Sequence, residues 1–243
     1  MIKEIGRVKA LYRYPVKSMA CESLGSATLG WHGLTGDRRF AFVRRGNTTG
    51  FPWLTAGKYP PLVRYVPFGP NAGEPTSLTL YVRTPAGLEL ELRSAALQEE
   101  LSNGFGSPVE LMQLDKGIFD EADVSIISQS TINAVQRKTG ISLEVERFRP
   151  NIVVETAAGE PFEEDGWLGK TLHFGGEPDA AAVNVYMRDV RCMMINLDPS
   201  TGEANTTVLR AVAQMNENCA GVYATAIKIG PIFVGDKIFL REV

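Results

Sequence analysis

The 243-residue sequence is poor in the side chains that form metal clusters and disulfide frameworks. It contains two histidines and three cysteines, at positions 21, 192 and 219, and no two cysteines form a CxxC motif. Three cysteines cannot all pair, and an iron–sulfur cluster usually takes four cysteine ligands. The sequence therefore disfavours a disulfide-stabilised fold and a resident iron–sulfur cluster.

Several catalytic signatures are also absent. The chain has no HExxH zinc motif, no P-loop, no GxGxxG followed by a helix and no GxSxG nucleophile elbow. His32 and His173 are the only imidazoles, and neither lies near an acidic motif. These absences disfavour zinc hydrolases, nucleotidases, Rossmann dehydrogenases and serine hydrolases.

Strong net charge and long hydrophobic runs are missing as well. The formal net charge is −3 at pH 7, whereas a nucleic-acid binder normally carries a large basic surplus. No stretch of about 18 uncharged apolar residues occurs, and the first residues contain no hydrophobic signal region. We therefore expect no nucleic-acid partner, no membrane span and no secretory leader, and we expect the reducing cytoplasm as the compartment.

What the chain does contain is many short hydrophobic stretches separated by turn residues, which predict a β-rich α+β fold. Many short strands separated by turns are typical of β-barrels and β-sandwiches. Three further stretches have helical spacing and capping signals, and they predict helices at 94–102, 128–139 and 206–215. Strands or extended segments are predicted at 5–13, 38–44, 62–66, 78–82, 88–92, 147–154, 167–174, 183–187, 190–197, 219–229 and 231–240.

Two finer predictions concern the first half of the chain. Simple alternation in the first strand places Val8, Ala10 and Tyr12 on one face. A break in the pattern at 103–106, where the sequence reads Asn-Gly-Phe-Gly, predicts two domains, residues 1–105 and residues 106–243.

Cys192 is the leading candidate for chemistry. It follows Arg191 in a predicted apolar strand that ends in an Asp-Pro-Ser-Thr-Gly turn, where Asp198 has an ordinary turn role. A neighbouring cation favours the thiolate form of a cysteine, and a thiolate suits either a soft metal or sulfur transfer. A small buried hydrophobic role remains the alternative, because free cysteine is among the most buried residue types.

Four cations lie beside strand ends and prolines rather than on helix surfaces. Each taken alone is explained by solvation or by a structural ion pair. If the four segments meet around Cys192, the cluster needs an anion, and arginine and lysine both bind phosphate groups. The residues predict an anionic ligand, a phosphate ester in type, held by the cations Lys17, Arg38, Arg149 and Arg191 and by the neutral donors Ser18 and Asn151.

These segments, in this order, resemble the MOSC family, the type of domain found at the C-terminus of molybdenum cofactor sulfurase. Within the family the chain is most similar to the amidoxime-reducing component type and its bacterial relatives. The resemblance spans nearly the whole chain. It rests on YPVKS at 14–18, GDRRF at 36–40, LTA at 54–56, FRPNIV at 148–153, RC at 191–192, DPSTG at 198–202, GVY at 221–223 and VGD at 234–236.

The resemblance implies an N-terminal MOSC-associated β-barrel-like domain packed on a MOSC domain built around a mixed β-barrel with a few helices. It also implies a molybdenum–molybdopterin cofactor in the cleft between them, with Cys192 as both the metal ligand and the catalytic residue. By position, residues 121–123 are a further cofactor-contacting stretch, and the family is often associated with pyridoxal phosphate. The implied cofactor-binding residues are Lys17, Ser18, Arg38, Arg149, Asn151 and Arg191.

The implied activity is reduction of N-hydroxylated substrates such as amidoximes and hydroxylamines. A chain that ends at Val243 carries no ferredoxin-like domain, so we expect electrons from a separate iron–sulfur or haem protein. Two alternatives stay open. Cys192 could carry sulfur as a persulfide, or the chain could bind the molybdenum cofactor without catalysis.

Overall fold

The computed structural model describes residues 2–69 and 80–241. Within these ranges, three helices and several small sheets surround a closed β-barrel. The first half of the chain contains β1 (Ile2–Arg13), β2 (Glu22–Leu24), β3 (Ser26–Gly30), β4 (Gly33–Leu34), β5 (Phe40–Arg44), β6 (Val66–Phe68), β7 (Tyr81–Arg83), β8 (Glu89–Glu91), α1 (Ala95–Phe105) and β9 (Val109–Gln113).

The second half of the chain supplies most of the barrel and two further helices. Short 3-10 helices at Val145–Phe148, Glu163–Trp167 and Met193–Asn196 connect its elements. The regular elements are β10 (Val124–Ser128), α2 (Gln129–Thr139), β11 (Ile152–Thr156), β12 (Thr171–Phe174), β13 (Ala181–Val190), α3 (Thr207–Asn216), β14 (Cys219–Lys228), β15 (Gly230–Phe233) and β16 (Lys237–Arg241). The prediction of a β-rich α+β fold with a mixed barrel and a few helices is confirmed.

Seven strands form the barrel in the order β11-β10-β14-β13-β12-β16-β1, and it closes where β1 pairs with β11. The pair β10–β11 is parallel, and the other pairs around the ring are antiparallel. Closure removes the open edges that a flat sheet would expose. The N-terminal strand thus completes a barrel whose other strands come from beyond residue 120, and the domain boundary at residue 105 stays a prediction.

The faces of β1 differ from the simple alternation in the sequence. The register of β1 against β11 shifts between Val8 and Ala10. Such a bulge changes which side chains face inward. Val8 and Leu11 therefore lie inside the barrel with Ile5, whereas Ala10 and Tyr12 pack on the side of the helices. The prediction that Val8, Ala10 and Tyr12 share a face is wrong for this reason.

Helix ends follow their capping signals. The Ser128 side chain accepts a hydrogen bond from the Thr131 N–H at 3.1 Å, and Gly140 ends α2 in a left-handed conformation with φ of 72°. The helix α1 begins after Ser94 in the same way but ends at Gly106 rather than before Gly104. No helix in the described ranges is long and apolar enough to cross a membrane.

Two predicted strands are 3-10 helices instead. The stretch 62–66 lies largely in the 3-10 helix Pro60–Arg64, because two successive prolines lack the N–H groups that a strand needs. The stretch 190–197 leaves β13 at Val190 and turns into Met193–Asn196. In the predicted strand 78–82, residues 78 and 79 lie outside the described residues, and β7 begins at Tyr81.

A buried carboxyl at the start of α2 makes stability depend on pH. Glu164 is fully buried, and one of its oxygens accepts the Ser128 N–H at 3.2 Å, while the other oxygen has no partner among the described residues. Burial raises the pKa of Glu164. The folded state therefore binds the proton more tightly than the unfolded state, and stability falls as the pH rises through the ordinary glutamate pKa toward the raised one.

Glu164→Gln should flatten this part of the pH profile, because the amide stays neutral and keeps an acceptor for Ser128. Urea denaturation at pH 4 and pH 7 measures the effect, with the exposed Glu203→Gln as the matched control. A variant whose free energy of unfolding still falls as steeply as that of the wild type would show that Glu164 is not the responsible group.

Candidate functional site

A cavity of about 450 Å³ opens where the two halves of the chain meet, and we call it the main cavity. Segments after β1 and before β5 form one side, and the 3-10 helices near 147 and 193 form the other. The structure brings six of the seven predicted residues to its lining: Lys17, Ser18, Arg38, Arg149, Arg191 and Cys192.

Three of these residues have strained backbones. Ser18, Arg38 and Arg149 adopt positive φ angles of 67°, 44° and 50°, in the left-handed region that non-glycine residues rarely occupy. Each such conformation costs about 1–3 kcal/mol and persists only where its surroundings enforce it. Strain concentrated on the lining of one cavity is typical of a functional site.

Arg38 is held by carboxylates within the protein. Its guanidinium pairs with Asp37 and, through Nε, with Asp120 at 2.6 Å. It also donates to Asn151 Oδ1 at 3.1 Å and to the Arg149 carbonyl at 2.9 Å. Burial alone would lower the pKa of Arg38, but the two carboxylates outweigh it and raise that pKa. Arg38 is therefore a fixed, compensated cation.

Arg191 is similarly fixed by buried partners. Its Nε and Nη1 donate to the carbonyls of Ala220 and Phe148 at 2.6 and 2.7 Å. Its Nη2 lies 2.9 Å from Asp189, a contact that is ionic rather than a well-aligned hydrogen bond. Burial raises the pKa of Asp189 to about 6, although Arg191 opposes the shift.

Gly221 makes room for the Arg191 guanidinium. Its φ is +90°, and a Cβ there would lie 2.7 Å from the Ile126 carbonyl oxygen and 3.0 Å from Arg191 Nη2. A side chain would therefore clash with the Ile126 backbone and crowd the guanidinium, and the positive φ also favours glycine, which explains the glycine at this position of β14.

Lys17 and Arg149 differ from the other two cations because neither has a carboxylate within ion-pair distance among the described residues. Lys17 Nζ donates to the Phe119 carbonyl at 2.7 Å, and Arg149 Nη1 donates to the Met19 carbonyl at 2.7 Å. Arg149 also lies 4.2 Å from the centre of the Tyr14 ring. Burial lowers the pKa of both side chains. Two half-buried cations that line a cavity without a counter-ion among the described residues favour an anionic ligand.

Cys192 lies at the start of the 3-10 helix Met193–Asn196, and its side chain is exposed. It lines the same cavity as the two uncompensated cations, with the exposed Phe51, Val190 and Met193 around it. In the described part of the chain, no group of three or more histidine, cysteine or carboxylate side chains could hold a metal ion. Cys192 can therefore act on a metal only as one ligand of a centre that brings its own further donors.

Known families match the two parts of this architecture. The profile of the MOSC N-terminal β-barrel domain matches residues 5–123, and the profile of the MOSC domain matches residues 110–239. The chain belongs to the MOSC family. The resemblance seen in its motifs is confirmed, and the matched regions together cover nearly all of the sequence.

Individual relatives of this MOSC protein are distant. It is 33% identical over 99 residues to molybdenum cofactor sulfurase from Solanum lycopersicum, which covers 35% of this chain and 11% of that protein. It is 27% identical over 137 residues to mitochondrial amidoxime reducing component 2 from Bos taurus, which covers 49% and 37%. The chain therefore spans well under half the length of these curated relatives.

A solved structure shares the fold. The YUAD protein from Bacillus subtilis superimposes with a TM-score of 0.54 and 14% identity, over 100% of both chains. At that identity the likeness shows the fold alone.

The structure also identifies residues that sequence reasoning missed. Asp120, Asp189 and Tyr223 line the main cavity of the MOSC protein, whereas Asn151 does not line it and instead holds Arg38. Within the stretch 121–123, none of the residues lines the cavity; the neighbouring Asp120 does. Asp120 meets Arg38 from a distant part of the chain, so spacing carried no signal for it, whereas Asp189 lies only two residues before its partner Arg191.

Asp120 is an anion on the lining of a cavity that also has Lys17, Arg38 and Arg149 on its walls. Burial would raise the pKa of Asp120, but Arg38 and Lys17 outweigh it and keep that pKa below its ordinary value. Asp120→Asn should therefore tighten phosphate binding about tenfold, since a like charge several ångströms away opposes an anion by roughly 1–4 kcal/mol. Calorimetric titration with inorganic phosphate at low salt measures this, with the exposed Asp115→Asn as control. Weaker binding would mean instead that Asp120 serves to orient Arg38.

Proposed function

We propose that this MOSC protein binds a molybdenum–molybdopterin cofactor in the main cavity and reduces N-hydroxylated substrates. One observation carries the proposal: an exposed cysteine shares a cavity with two half-buried cations, Lys17 and Arg149, that have no carboxylate within ion-pair distance among the described residues. The names of the relatives, which refer to molybdenum cofactor and to amidoxime reduction, support the same assignment.

The residues present fit such a cofactor. Its phosphate would take the uncompensated charges of Lys17 and Arg149, which are the lysine and arginine donors that phosphate prefers. Ser18 adds a hydroxyl donor, Arg38 and Arg191 form a fixed cationic wall, and Asn151 keeps Arg38 in place. Cys192 would supply one thiolate to molybdenum, whose soft character suits sulfur ligands and whose remaining donors come with the cofactor.

When bound, the cofactor would supply the redox chemistry that removes oxygen from an N–OH group. In balance, the substrate takes two electrons and two protons, the N–O bond breaks, and the amine or amidine leaves with one water. The protein's contribution is to bind and orient. The exposed Phe51, Val190 and Met193 form an apolar mouth around Cys192 that can cover the carbon skeleton of a substrate. The electrons come from a separate iron–sulfur or haem protein.

The decisive test combines metal analysis with turnover. Protein from cells that make molybdenum cofactor should contain molybdenum and release a fluorescent pterin after oxidation. It should then reduce benzamidoxime to benzamidine with a supplied reductant. Turnover with NADH and no further protein would contradict the requirement for a separate electron donor.

The same measurements distinguish this proposal from the two alternatives, a sulfur carrier and a cofactor-binding protein without catalysis. Absence of molybdenum, together with a persulfide on Cys192, would establish a sulfur carrier. Bound molybdenum without turnover of any N-hydroxylated compound would establish a binding protein without catalysis. The association with pyridoxal phosphate and the cytoplasmic location stay predictions.

A further inference from the structure

Asp189 is a buried carboxyl on the lining of the main cavity, in the strand that leads to Cys192. Both of its polar partners meet the same oxygen, Oδ2. The Ser125 hydroxyl donates to Oδ2 at 3.0 Å, and Arg191 Nη2 lies 2.9 Å from it. Arg191 does not depend on this carboxyl alone, because Nε and Nη1 donate to carbonyl oxygens. One oxygen thus holds the carboxyl in place, and the other is free for a further bond.

The free oxygen, Asp189 Oδ1, opens onto the cavity. It accepts no hydrogen bond from the described residues, and it is not one of the unpartnered side-chain atoms that the fold seals from solvent. By contrast, Arg191 Nη2 is sealed. A carboxyl whose Oδ2 already accepts from two donors carries its proton on Oδ1. The acidic proton of Asp189 therefore lies on the cavity side.

Tyr223 brings a hydroxyl to the same part of the cavity. It is the cross-strand partner of Ser125, whose side chain holds Asp189. Tyr223 lines the main cavity, and its hydroxyl makes no hydrogen bond within the described residues and is not sealed from solvent. Burial raises the pKa of Tyr223, and the Asp189 charge raises it further. The phenol therefore keeps its proton at physiological pH and remains available as a donor.

The surroundings of Asp189 allow it to gain and lose a proton near neutral pH. Burial raises the pKa of Asp189 to about 6, against the opposing effects of Arg191 and the Ser125 hydroxyl. Asp120 raises it further, and Arg38 lowers it. An acid whose pKa lies near the working pH both holds its proton and releases it readily. The charged or titratable side chains that influence Asp189, or that it influences, are Arg191, Arg38, Asp120, Tyr223 and Cys219.

We propose that Asp189 is the acid that protonates the departing oxygen when the N–O bond of the substrate breaks, and that the Tyr223 hydroxyl orients this oxygen by hydrogen bonding. The inference rests on the proposed function, in which the oxygen of an N–OH group leaves as water. Asp189, Tyr223 and Cys192 line the same cavity, so a substrate bound at Cys192 can reach both donors.

The proton of Asp189 moves to the hydroxyl oxygen as the N–O bond breaks, and the oxygen leaves as water with the bonding electron pair. The nitrogen receives two electrons, which are supplied through the cofactor, and one proton from solvent. The step thus consumes two electrons and two protons and forms one water. Arg191 and the Ser125 hydroxyl stabilise the carboxylate that remains, which then takes a proton from solvent before the next turnover.

The acid can be titrated without cofactor or substrate. The carboxyl ¹³C resonance of Asp189, assigned as the signal that Asp189→Asn removes, should have its midpoint near pH 6. Unperturbed aspartates titrate at about 3.9. Ser125→Ala should raise the midpoint by about one pH unit, because the lost hydrogen bond favours the charged form. A midpoint at or below that of unperturbed aspartate would overturn the proposal.

Turnover of benzamidoxime by the molybdenum-loaded protein tests the role of this acid. The value of kcat should fall about tenfold per pH unit above the midpoint of Asp189. Asp189→Asn should lower kcat about 100-fold or more at unchanged molybdenum content and abolish this pH dependence. Tyr223→Phe should lower kcat about tenfold and keep the pH dependence, because it loses one hydrogen bond and retains the acid.

Ser125→Ala separates proton donation from a merely structural role. It should move the fall in kcat to higher pH together with the carboxyl midpoint, and it replaces Asp189→Asn if that variant does not fold. The exposed Asp115→Asn is the matched control and should behave as the wild type does. Wild-type turnover that Asp189→Asn leaves unchanged, or a pH profile that Ser125→Ala does not move, would overturn this inference alone. Absence of turnover in the wild type would overturn the proposed function, and this inference with it.

Discussion

Cys192→Ala is expected to lower molybdenum-dependent reduction of benzamidoxime by more than about 100-fold, since loss of residues that only support metal ligands already costs about 10–100-fold. The side chain is exposed and lies at the start of a short 3-10 helix. Its removal should therefore change the free energy of unfolding by no more than about 0.5 kcal/mol. The molybdenum absorption spectrum should change, because the variant lacks the sulfur ligand that we propose.

Activity, molybdenum content and the spectrum are measured on the same preparation. Cys21→Ala is the matched control, because Cys21 does not line the main cavity and its replacement should keep metal and activity. A Cys192→Ala protein with unchanged spectrum and turnover would show that the ligand assignment is wrong.

Lys17→Met should produce the second large effect, a loss of phosphate binding of about 10–100-fold with no loss of stability. The ammonium has no carboxylate partner among the described residues and donates only to a carbonyl oxygen. A charge-assisted hydrogen bond to phosphate contributes about 1.5–3 kcal/mol, and each 1.4 kcal/mol is tenfold in affinity. The methionine keeps the apolar part of the chain and removes a charge that burial disfavours.

The sign of the stability change follows from the pKa. Burial lowers the pKa of Lys17, so the folded state binds this proton less tightly than the unfolded state. The charged Lys17 therefore lowers the free energy of unfolding at neutral pH. This cost fades only as the pH rises through the lowered pKa of Lys17 toward the pKa of free lysine. Lys17→Met removes the penalty at neutral pH.

Phosphate titration and urea denaturation at pH 7 measure the two effects in the absence of cofactor. Lys58→Met is the matched control, since Lys58 lines the same cavity but is exposed to solvent. We expect no more than about a fivefold change there, because exposed ion pairs contribute about 0–1 kcal/mol. A destabilised Lys17→Met protein that still binds phosphate normally would assign Lys17 a structural role.

The main cavity is maintained against the local preferences of the residues that line it. Three lining residues have left-handed backbones, and two lining cations lack counter-ions within ion-pair distance among the described residues. The surrounding structure must stabilise this arrangement. Residues that lie behind the lining do so through hydrogen bonds. Asn151 Oδ1 accepts a hydrogen bond from Arg38. The Asn151 backbone N–H donates to the Ser125 carbonyl in β10, and its side-chain amide donates to the Tyr12 carbonyl in β1, so both strands hold it in place.

Local sequence signals determined much of the architecture. The serine and glycine caps of α2 fixed both of its ends, because those residues satisfy helix termini wherever they occur. The motifs around Lys17, Arg38, Arg149 and Cys192 are sufficient to identify the family. Local patterns failed where tertiary structure overrode them, as at the bulge after Val8 and at the 3-10 helix that begins after Cys192.

The sequence by itself determined the family, the β-rich fold and the identity of the cations and the cysteine. Only the tertiary structure decided which cations are already neutralised. Arg38 forms an ion pair with Asp120, and Arg191 forms one with Asp189. Lys17 and Arg149 instead donate hydrogen bonds to carbonyl oxygens, which carry no full negative charge. Asp189 is close to Arg191 in the sequence, but only the fold brings Asp120 to Arg38 and leaves Lys17 and Arg149 facing carbonyl oxygens, and the free energy of a buried charge depends on such neighbours.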